Sequence, residues 1–323
     1  MKTAFIAGIT GQDGFYLSKL LQEKGYRVVG ISDQVEGGGE GPIIILADIR
    51  DTKRLREILN KYQPDEFYNL AGVTDLGLAA RDPELTLDLN YRAVGQMFNL
   101  ALNSNPKIKI FQASSAEMFD KSVAPQSETT TFKPTNSYGE AKLRAYQEFV
   151  VGSRKQGVFV CSGFLFNHES PRRDLRFVTR KITHSIAELV KGKRSYLEIG
   201  NLDAKRDWSF AGDIVEGMWR MLQATEPDDY VLASGATHTV REFVEVAASA
   251  AGLKLSWRGQ GLEEIARNSA GRVIIKINKD FYRPETAYPL GDITKAKAEL
   301  GWEPRISFPE LVQMMVLADL DRI

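Results

Sequence analysis

The chain has 323 residues, and at roughly 100–200 residues per domain this allows one large α/β domain or a two-lobed enzyme. A composition of 43% hydrophobic and 26% charged residues with 12 prolines excludes disordered, collagen-like and low-complexity classes. Forty-two Lys and Arg balance 42 Asp and Glu, which argues against a nucleic-acid binder working by bulk charge. Along the chain, strand Thr3–Gly8 leads into helix Phe15–Lys24, where Leu17, Leu20 and Leu21 keep helical spacing and Gly25 suits a left-handed C-terminal cap. Strands at Arg27–Ile31 and Ile43–Leu46 flank a glycine-rich surface loop, Gly37–Gly41. Then come helix Thr52–Tyr62 with Leu55, Ile58 and Leu59 inward, strand Glu66–Ala71 and a long helix over Glu84–Asn103. Strand Lys109–Ala113, helix Tyr138–Lys155 and strand Val158–Phe164 continue the alternation. Repeated βαβ units with right-handed crossovers give a Rossmann-like, doubly wound parallel sheet.

Beyond Phe166 the texture changes, with short strands and frequent Gly, Pro, Arg and Trp, so a smaller α/β lobe begins there. Asp213–Ala224 reads as a helix and Tyr230–Ala233 as a strand that rejoin the first sheet, so the lobes interleave: residues 1–165 with 210–235, and 166–209 with 236–323. The single cysteine, Cys161, forms no internal disulfide, and with three histidines no cluster has metal-ligand spacing, so a reducing compartment and no metal are expected. No run approaches 18 apolar residues, and Thr3–Ile9 passes into Gly11 without a cleavage site; a cytoplasmic protein with no membrane or nucleic-acid partner is the expectation.

Gly8, Gly11 and Gly14 stand three apart between the first strand and first helix, in the stretch Gly8-Ile9-Thr10-Gly11-Gln12-Asp13-Gly14. Without Cβ atoms the backbone turns tightly and approaches a pyrophosphate, whose charge the helix N-terminus favours. Residues 1–165 with 210–235 therefore read as a dinucleotide-binding domain. At the end of the second strand, Asp33 suits a ribose 2′-hydroxyl and leans toward NAD over NADP, although a solvated loop acid has the same appearance. Asp48, after the third strand, reads equally as an adenine contact or as a helix N-terminal acid.

Tyr138 and Lys142 lie at i and i+4 on one helix face. A phenol titrates near 10 and needs a cation beside it to act as a base at neutral pH; Lys142 supplies one and can also hold the ribose of a nicotinamide nucleotide. Ser115 and Glu117 follow the strand Lys109–Gln112 at its carboxyl end, where open α/β sheets bind ligands. A hydroxyl there can bind a sugar hydroxyl and a carboxylate can take a carbon-bound proton beside a carbonyl; the alternative is a serine capping a turn and a solvated acid.

These residues carry a resemblance. The stretches GITGQDG at Gly8–Gly14, FYNLAG at Phe67–Gly72, QASSAEMF at Gln112–Phe119 and SYGEAK at Ser137–Lys142 resemble the extended short-chain dehydrogenase/reductases. FNHESPRR at Phe166–Arg173, FVTRKI at Phe177–Ile182, GNLDAKRDW at Gly200–Trp208 and FYRPE at Phe281–Glu285 narrow the likeness to the GDP-mannose 4,6-dehydratase family. The resemblance implies that Tyr138, tuned by Lys142, takes the proton of the sugar 4-hydroxyl while hydride leaves C4. Glu117 then removes the C5 proton, water leaves from C6, and the hydride returns to C6. Ser115 stands where the family has threonine, and Ala116 where it has serine.

The resemblance further implies that Gly8, Thr10, Gly11, Gln12, Asp13, Gly14, Asp33, Asp48, Ile49, Leu70, Ala71, Gly72, Tyr138, Lys142, His168 and Arg173 hold NAD or NADP. Ser115, Asn167, Val178, Lys181, Arg206, Arg283 and Glu285 hold a GDP-sugar, which makes residues 166–209 and 236–323 a nucleotide-sugar lobe. Pro171–Lys181 has five basic residues against one acid, Asp174, a local positive field suited to a diphosphate. The family's arginine-serine loop after the second strand, which holds a 2′-phosphate and reaches a neighbouring subunit, is replaced here by Asp33 and glycines, and the loop Thr74–Leu78 differs as well. Three alternatives stay open: a dehydratase for another GDP-sugar such as a GDP-heptose, a nucleotide-sugar epimerase or 4-reductase, and a non-catalytic nucleotide sensor. Helices over Glu84–Asn103 and Tyr138–Lys155 suit a twofold partner, so a homodimer is expected, with a tetramer as the larger possibility.

Overall fold

Short runs of apolar and β-branched residues, most of them too buried to alternate, form a parallel sheet. The structure is a computed structural model that describes residues 1–35, 39, 41–284 and 288–323; Gly37, Gly38 and Glu40 of the glycine loop, and Glu285, lie outside the described residues. Two compact units are present: residues 1–166, 211–232 and 291–303, and residues 167–210, 233–290 and 304–323.

The first unit is a seven-stranded sheet of β1 (Thr3–Ala7), β2 (Arg27–Ser32), β3 (Ile43–Leu46), β4 (Glu66–Asn69), β5 (Lys109–Ser115), β6 (Val160–Leu165) and β7 (Asp229–Leu232). The order is β7-β6-β5-β4-β1-β2-β3 and every pairing is parallel. Strand order therefore reverses between β1 and β4, and ligands bind outside the carboxyl ends of strands at such a switch point.

Helices cover both faces. On one, α1 (Gln12–Glu23) sets Leu17 and Leu21 against Ile214, Met218 and Leu222 of the helix Ala211–Gln223. On the other, α2 (Thr52–Tyr62) brings Leu55, Ile58 and Leu59 to a core shared with Met97 and Phe98 of a helix spanning 83–104 and Val150 of one spanning 137–155. Both long helices contain a π turn, Asp88–Arg92 and Tyr146–Val150. The first places buried Asn90 where its side chain accepts from Val73 N and donates to Val73 O, which fixes the loop after β4.

Two features depart from the sequence reading. A helix at Leu76–Arg81 was not expected; Asp75 caps it by accepting from Gly77 N and Leu78 N. Residues 291–303, read as part of the smaller lobe, belong to the first unit, because Trp302 is fully buried among Ile214 and Met218 and donates to Asp213 O.

The second unit has a four-stranded sheet in the order Ser256–Arg258, Ile265–Arg267, Val273–Ile277, Leu197–Ile199, the last pairing parallel. Helices Val178–Val190, Val240–Ala250 and Phe308–Arg322 share its core through Ile182, Phe243 and Met315. A buried ion pair, Arg180 Nη1 to Asp319 Oδ2 at 2.5 Å, joins the first and last of these helices, and Thr183 Oγ1 donates to the same oxygen at 2.7 Å. Among the described residues no helix is long and apolar enough to cross a membrane, and no group of His, Cys, Asp or Glu is set to hold a metal.

Candidate active site

The turn after β1 is shaped by contacts that leave no room for side chains. Gly8 has φ +84, and a Cβ on Gly14 would run into the carbonyl oxygen of Gly8, so α1 packs directly onto the strand end. Gly11 precedes the helix without a side-chain cap, and a Cβ there would meet only Gly8 O, at 3.3 Å. The N-terminal amides of a 12-residue helix are thus presented beside a glycine cradle, the arrangement that suits a dinucleotide pyrophosphate. Thr10 Oγ1 and Ser32 Oγ share a hydrogen bond of 3.0 Å that ties the turn to the end of β2, where Asp33 follows as an exposed residue. Leu70, Ala71 and Gly72 follow β4 at the switch point, with Leu70 N donating to Ala7 O and a Cβ on Gly8 meeting Ala71 N.

Asp48 is engaged locally. Arg50 grips both its oxygens, Nε to Oδ1 at 2.9 Å and Nη2 to Oδ2 at 2.6 Å, and this guanidinium holds the carboxyl below its ordinary range. Neighbouring Ile49 is half-buried.

The structure brings Ser115, Glu117, Tyr138 and Lys142 together where β5 meets the start of the 137–155 helix. β5 ends at Ser115, whose Oγ accepts from Glu117 N at 3.2 Å and caps the 3-10 turn Ala116–Met118. Both sequence readings of Ser115 are compatible, since its hydroxyl proton is not used in the cap. Asn136 caps the helix through Oδ1, which accepts from Gly139 N at 2.8 Å. A Cβ on Gly139 would strike the carbonyl oxygen of Glu117, so the first helical turn rests on the Glu117 backbone. The Glu117 carboxylate accepts from Lys121 Nζ through both oxygens and from Asn136 Nδ2 through Oε2.

Lys142 lies one turn beyond Tyr138, and its Nζ is 5.9 Å from the centre of the Tyr138 ring. Both side chains are buried, at 5% and 9% exposure. The ammonium donates to Ala113 O at 2.8 Å, and burial brings its pKa down to about 8.

The second unit holds the other expected binding residues. Asn167 and His168 lie on the strand Asn167–Glu169, which pairs with Trp208–Phe210. Arg173 stacks on Phe177 at 3.5 Å and lies 3.2 Å from buried Glu169. Val178 is exposed at the first turn of its helix, and Lys181 sits 3.9 Å above the Phe281 ring, with burial drawing its pKa down. Arg206 pairs in a short strand with His238, and exposed Arg283 donates to Asp280 O and Tyr282 O. The concentrated positive field expected over Pro171–Lys181 is largely cancelled in place, because Arg173, Arg176 and Arg180 pair with Glu169, Asp174 and Asp319.

Sequence reading missed Lys121 and Asn136. The signals were present: Lys121 is four residues after Glu117, and Asn136 stands three before Gly139, the spacing of a cap.

A parallel sheet with a glycine turn at its switch point and a Tyr-x-x-x-Lys pair beside the neighbouring strand end defines an extended short-chain dehydrogenase/reductase. The profile of the family described as GDP-mannose 4,6 dehydratase matches residues 5–315. The human GDP-mannose 4,6 dehydratase is 40% identical over 342 residues, covering 98% of this chain and 91% of that protein. The chain belongs to the GDP-mannose 4,6-dehydratase family. Among solved structures, RMD from Pseudomonas aeruginosa complexed with NADPH superposes with a TM-score of 0.83 at 22% identity, covering 100% of each chain. The dTDP-glucose 4,6-dehydratase of Bacillus anthracis complexed with NAD gives 0.79 at 16%, covering 98% of this chain and 96% of that one. These two likenesses concern the fold.

Lys142 also makes stability depend on pH. Between about 8 and the ordinary 10.5 the unfolded chain carries more of this proton than the folded one, so stability rises with pH across that window and the cost of burial is fully present below it. Lys142→Met is therefore expected to stabilise the cofactor-free protein at pH 7 by about 1–3 kcal/mol in urea unfolding, while removing activity. A lower urea midpoint would show that the bond to Ala113 outweighs the burial cost.

Proposed function

We propose that the protein is a GDP-mannose 4,6-dehydratase, converting GDP-mannose to GDP-4-keto-6-deoxymannose and water. The observation that carries this reading is the carboxylate of Glu117, bonded to the residue that caps the helix of Tyr138 and Lys142. An epimerase or 4-reductase has no need of a base at that point, and a nucleotide sensor has no need of the Tyr138–Lys142 pair.

A nicotinamide dinucleotide on the glycine turn supplies a reversible two-electron oxidation when bound. Ser115 and Tyr138 engage the sugar 4-hydroxyl, and Tyr138 takes its proton with Lys142 beside it as the cation. The ketone formed at C4 acidifies the proton on C5. Glu117 removes that proton and delivers it to the departing C6 oxygen, which leaves as water; saturating the C5–C6 double bond then takes a hydride at C6, which the bound dinucleotide would return, and a proton at C5 drawn from solvent. In the second unit Asn167, Val178, Lys181, Arg206 and Arg283 serve the GDP portion, Lys181 as the partly buried charge, and His168 and Arg173 serve the cofactor; Glu285, outside the described residues, is assigned to the GDP portion by the resemblance alone.

With purified, cofactor-loaded protein and GDP-mannose in heavy water, the expected product has lost one water and carries one deuterium on carbon, read by mass spectrometry. Glu117→Gln is expected to cut turnover by about 10²-fold or more. Unchanged turnover in that variant would remove the assigned role, and intact GDP-mannose would redirect the search to other GDP-sugars through the altered Thr74–Leu78 loop.

We further propose NAD over NADP, on the exposed carboxylate of Asp33 at the end of β2. Calorimetric titration is expected to give tighter binding of NAD, with the gap narrowed in Asp33→Ala; tighter NADP binding would reverse the preference.

The assembly we propose is a homodimer through the 83–104 and 137–155 helices. Sedimentation at working concentration is expected to give twice the chain mass. Monomers would exclude it, and a tetramer would call for a second interface.

A further inference from the structure

The Glu117 carboxylate lies in a fork that the reaction as described leaves unused. Lys121 Nζ donates to Oε1 at 2.8 Å and to Oε2 at 2.7 Å, and Asn136 Nδ2 donates to Oε2 at 2.6 Å. Among the described residues Oε2 thus takes two donors and Oε1 one, which leaves Oε1 the oxygen with the freer lone pair.

The lysine is set there by a built turn. Phe119, two residues earlier, is fully buried, stacks on Phe132 at 5.4 Å and meets Phe164 edge-on at 5.0 Å. Lys133 N donates to Met118 O and Asp120 N to Thr131 O, clamping the chain on both sides of Phe119. The Asp120 carboxylate accepts from Ser122 N at 2.9 Å and Ser122 Oγ at 2.7 Å, closing the turn that carries Lys121 back over Glu117. Side-chain exposures of 31% for Lys121 and 21% for Glu117 set the pair apart from a freely solvated surface bridge.

Resting on the dehydratase reading, we propose that Lys121 is a positioning residue for the C5 proton transfer, holding both oxygens of Glu117 so that Oε1 meets the C5 proton and then the C6 oxygen. The C5–H bond breaks as Oε1–H forms, and its electron pair becomes the C5–C6 double bond as the C6–O bond breaks. The proton on Oε1 passes to the leaving oxygen, and water departs. Lys121 keeps its own protons throughout and acts by orientation. Asn136 cannot replace it, because Oδ1 is committed to the helix cap and Nδ2 reaches only Oε2.

The test compares wild type, Lys121→Met and Lys121→Arg as cofactor-loaded enzymes, using GDP-mannose and the same substrate deuterated at C5 or at C4. Lys121→Met is expected to lose between about ten- and a hundredfold in kcat, with KM changed by less than about twofold. Its isotope effect at C5 should grow at the expense of that at C4, and Lys121→Arg should restore most of the rate. Three results overturn the assignment: wild-type turnover in Lys121→Met, a loss that leaves the two isotope effects unmoved, or a loss that tracks a fall in thermal midpoint. Wild-type protein that leaves GDP-mannose intact fails the functional reading itself, before any variant is made, and removes this assignment with it.

Discussion

Burying an ammonium is expensive, and the way the cost is met at Lys142 constrains everything around it. The hydrogen-bond partner Lys142 finds is the carbonyl of Ala113, so β5 and the 137–155 helix must dock at one height and in one register. That carbonyl also accepts from Gln112 Nε2 at 3.0 Å, and Gln112 Oε1 accepts from Asn69 Nδ2 at 2.8 Å. A carbonyl only accepts, so the amide of Gln112 has one orientation open to it, and the amide of Asn69 follows. The chain of dependence ends at Asn69 Oδ1 in β4, beside the strand-order reversal, buried and without a hydrogen-bond partner among the described residues. One buried charge thus fixes the orientation of two amide side chains on neighbouring strands.

Glu117 is organised on the opposite plan. Lys142 has a dry surrounding and a neutral partner, whereas Glu117 is partly open and has a charged one. Asn136 links the two arrangements, since one amide caps the helix that carries Lys142 and also binds Glu117. The helix start and the Glu117 carboxylate are thereby joined through one side chain.

The doubly wound sheet was legible because periodicity and burial agree there: Thr52–Tyr62 and Ile43–Leu46 have the bounds that the apolar spacing gave. The glycine turn, Ser115, Glu117, Tyr138 and Lys142 could be singled out for a related reason, as they stand at fixed offsets from strand ends and within one helical turn, and the structure sets the last four where β5 meets the 137–155 helix. What escaped depends on partners distant in sequence. Trp302 gives no local sign that it will be buried against Met218, and a run of arginines looks like a charge field until Asp319, at the far end of the chain, is seen to neutralise Arg180. The short helix at Leu76–Arg81 lacks a full apolar repeat and rests on one cap at Asp75. Asp48 read as two alternatives because an acid after a strand serves either, and Arg50 two residues on engages it.

The return of residues 291–303 to the first unit has a consequence for how such a molecule is inherited and rebuilt. The chain passes from one unit to the other five times, after residues 166, 210, 232, 290 and 303. No single cut yields two self-contained halves, and a crossover in recombination at any one of these points would strand pieces of sheet or core without their complement. Transplanting the second unit from a relative requires exchanging three separate segments at once, so the unit cannot be passed on through a single exchange.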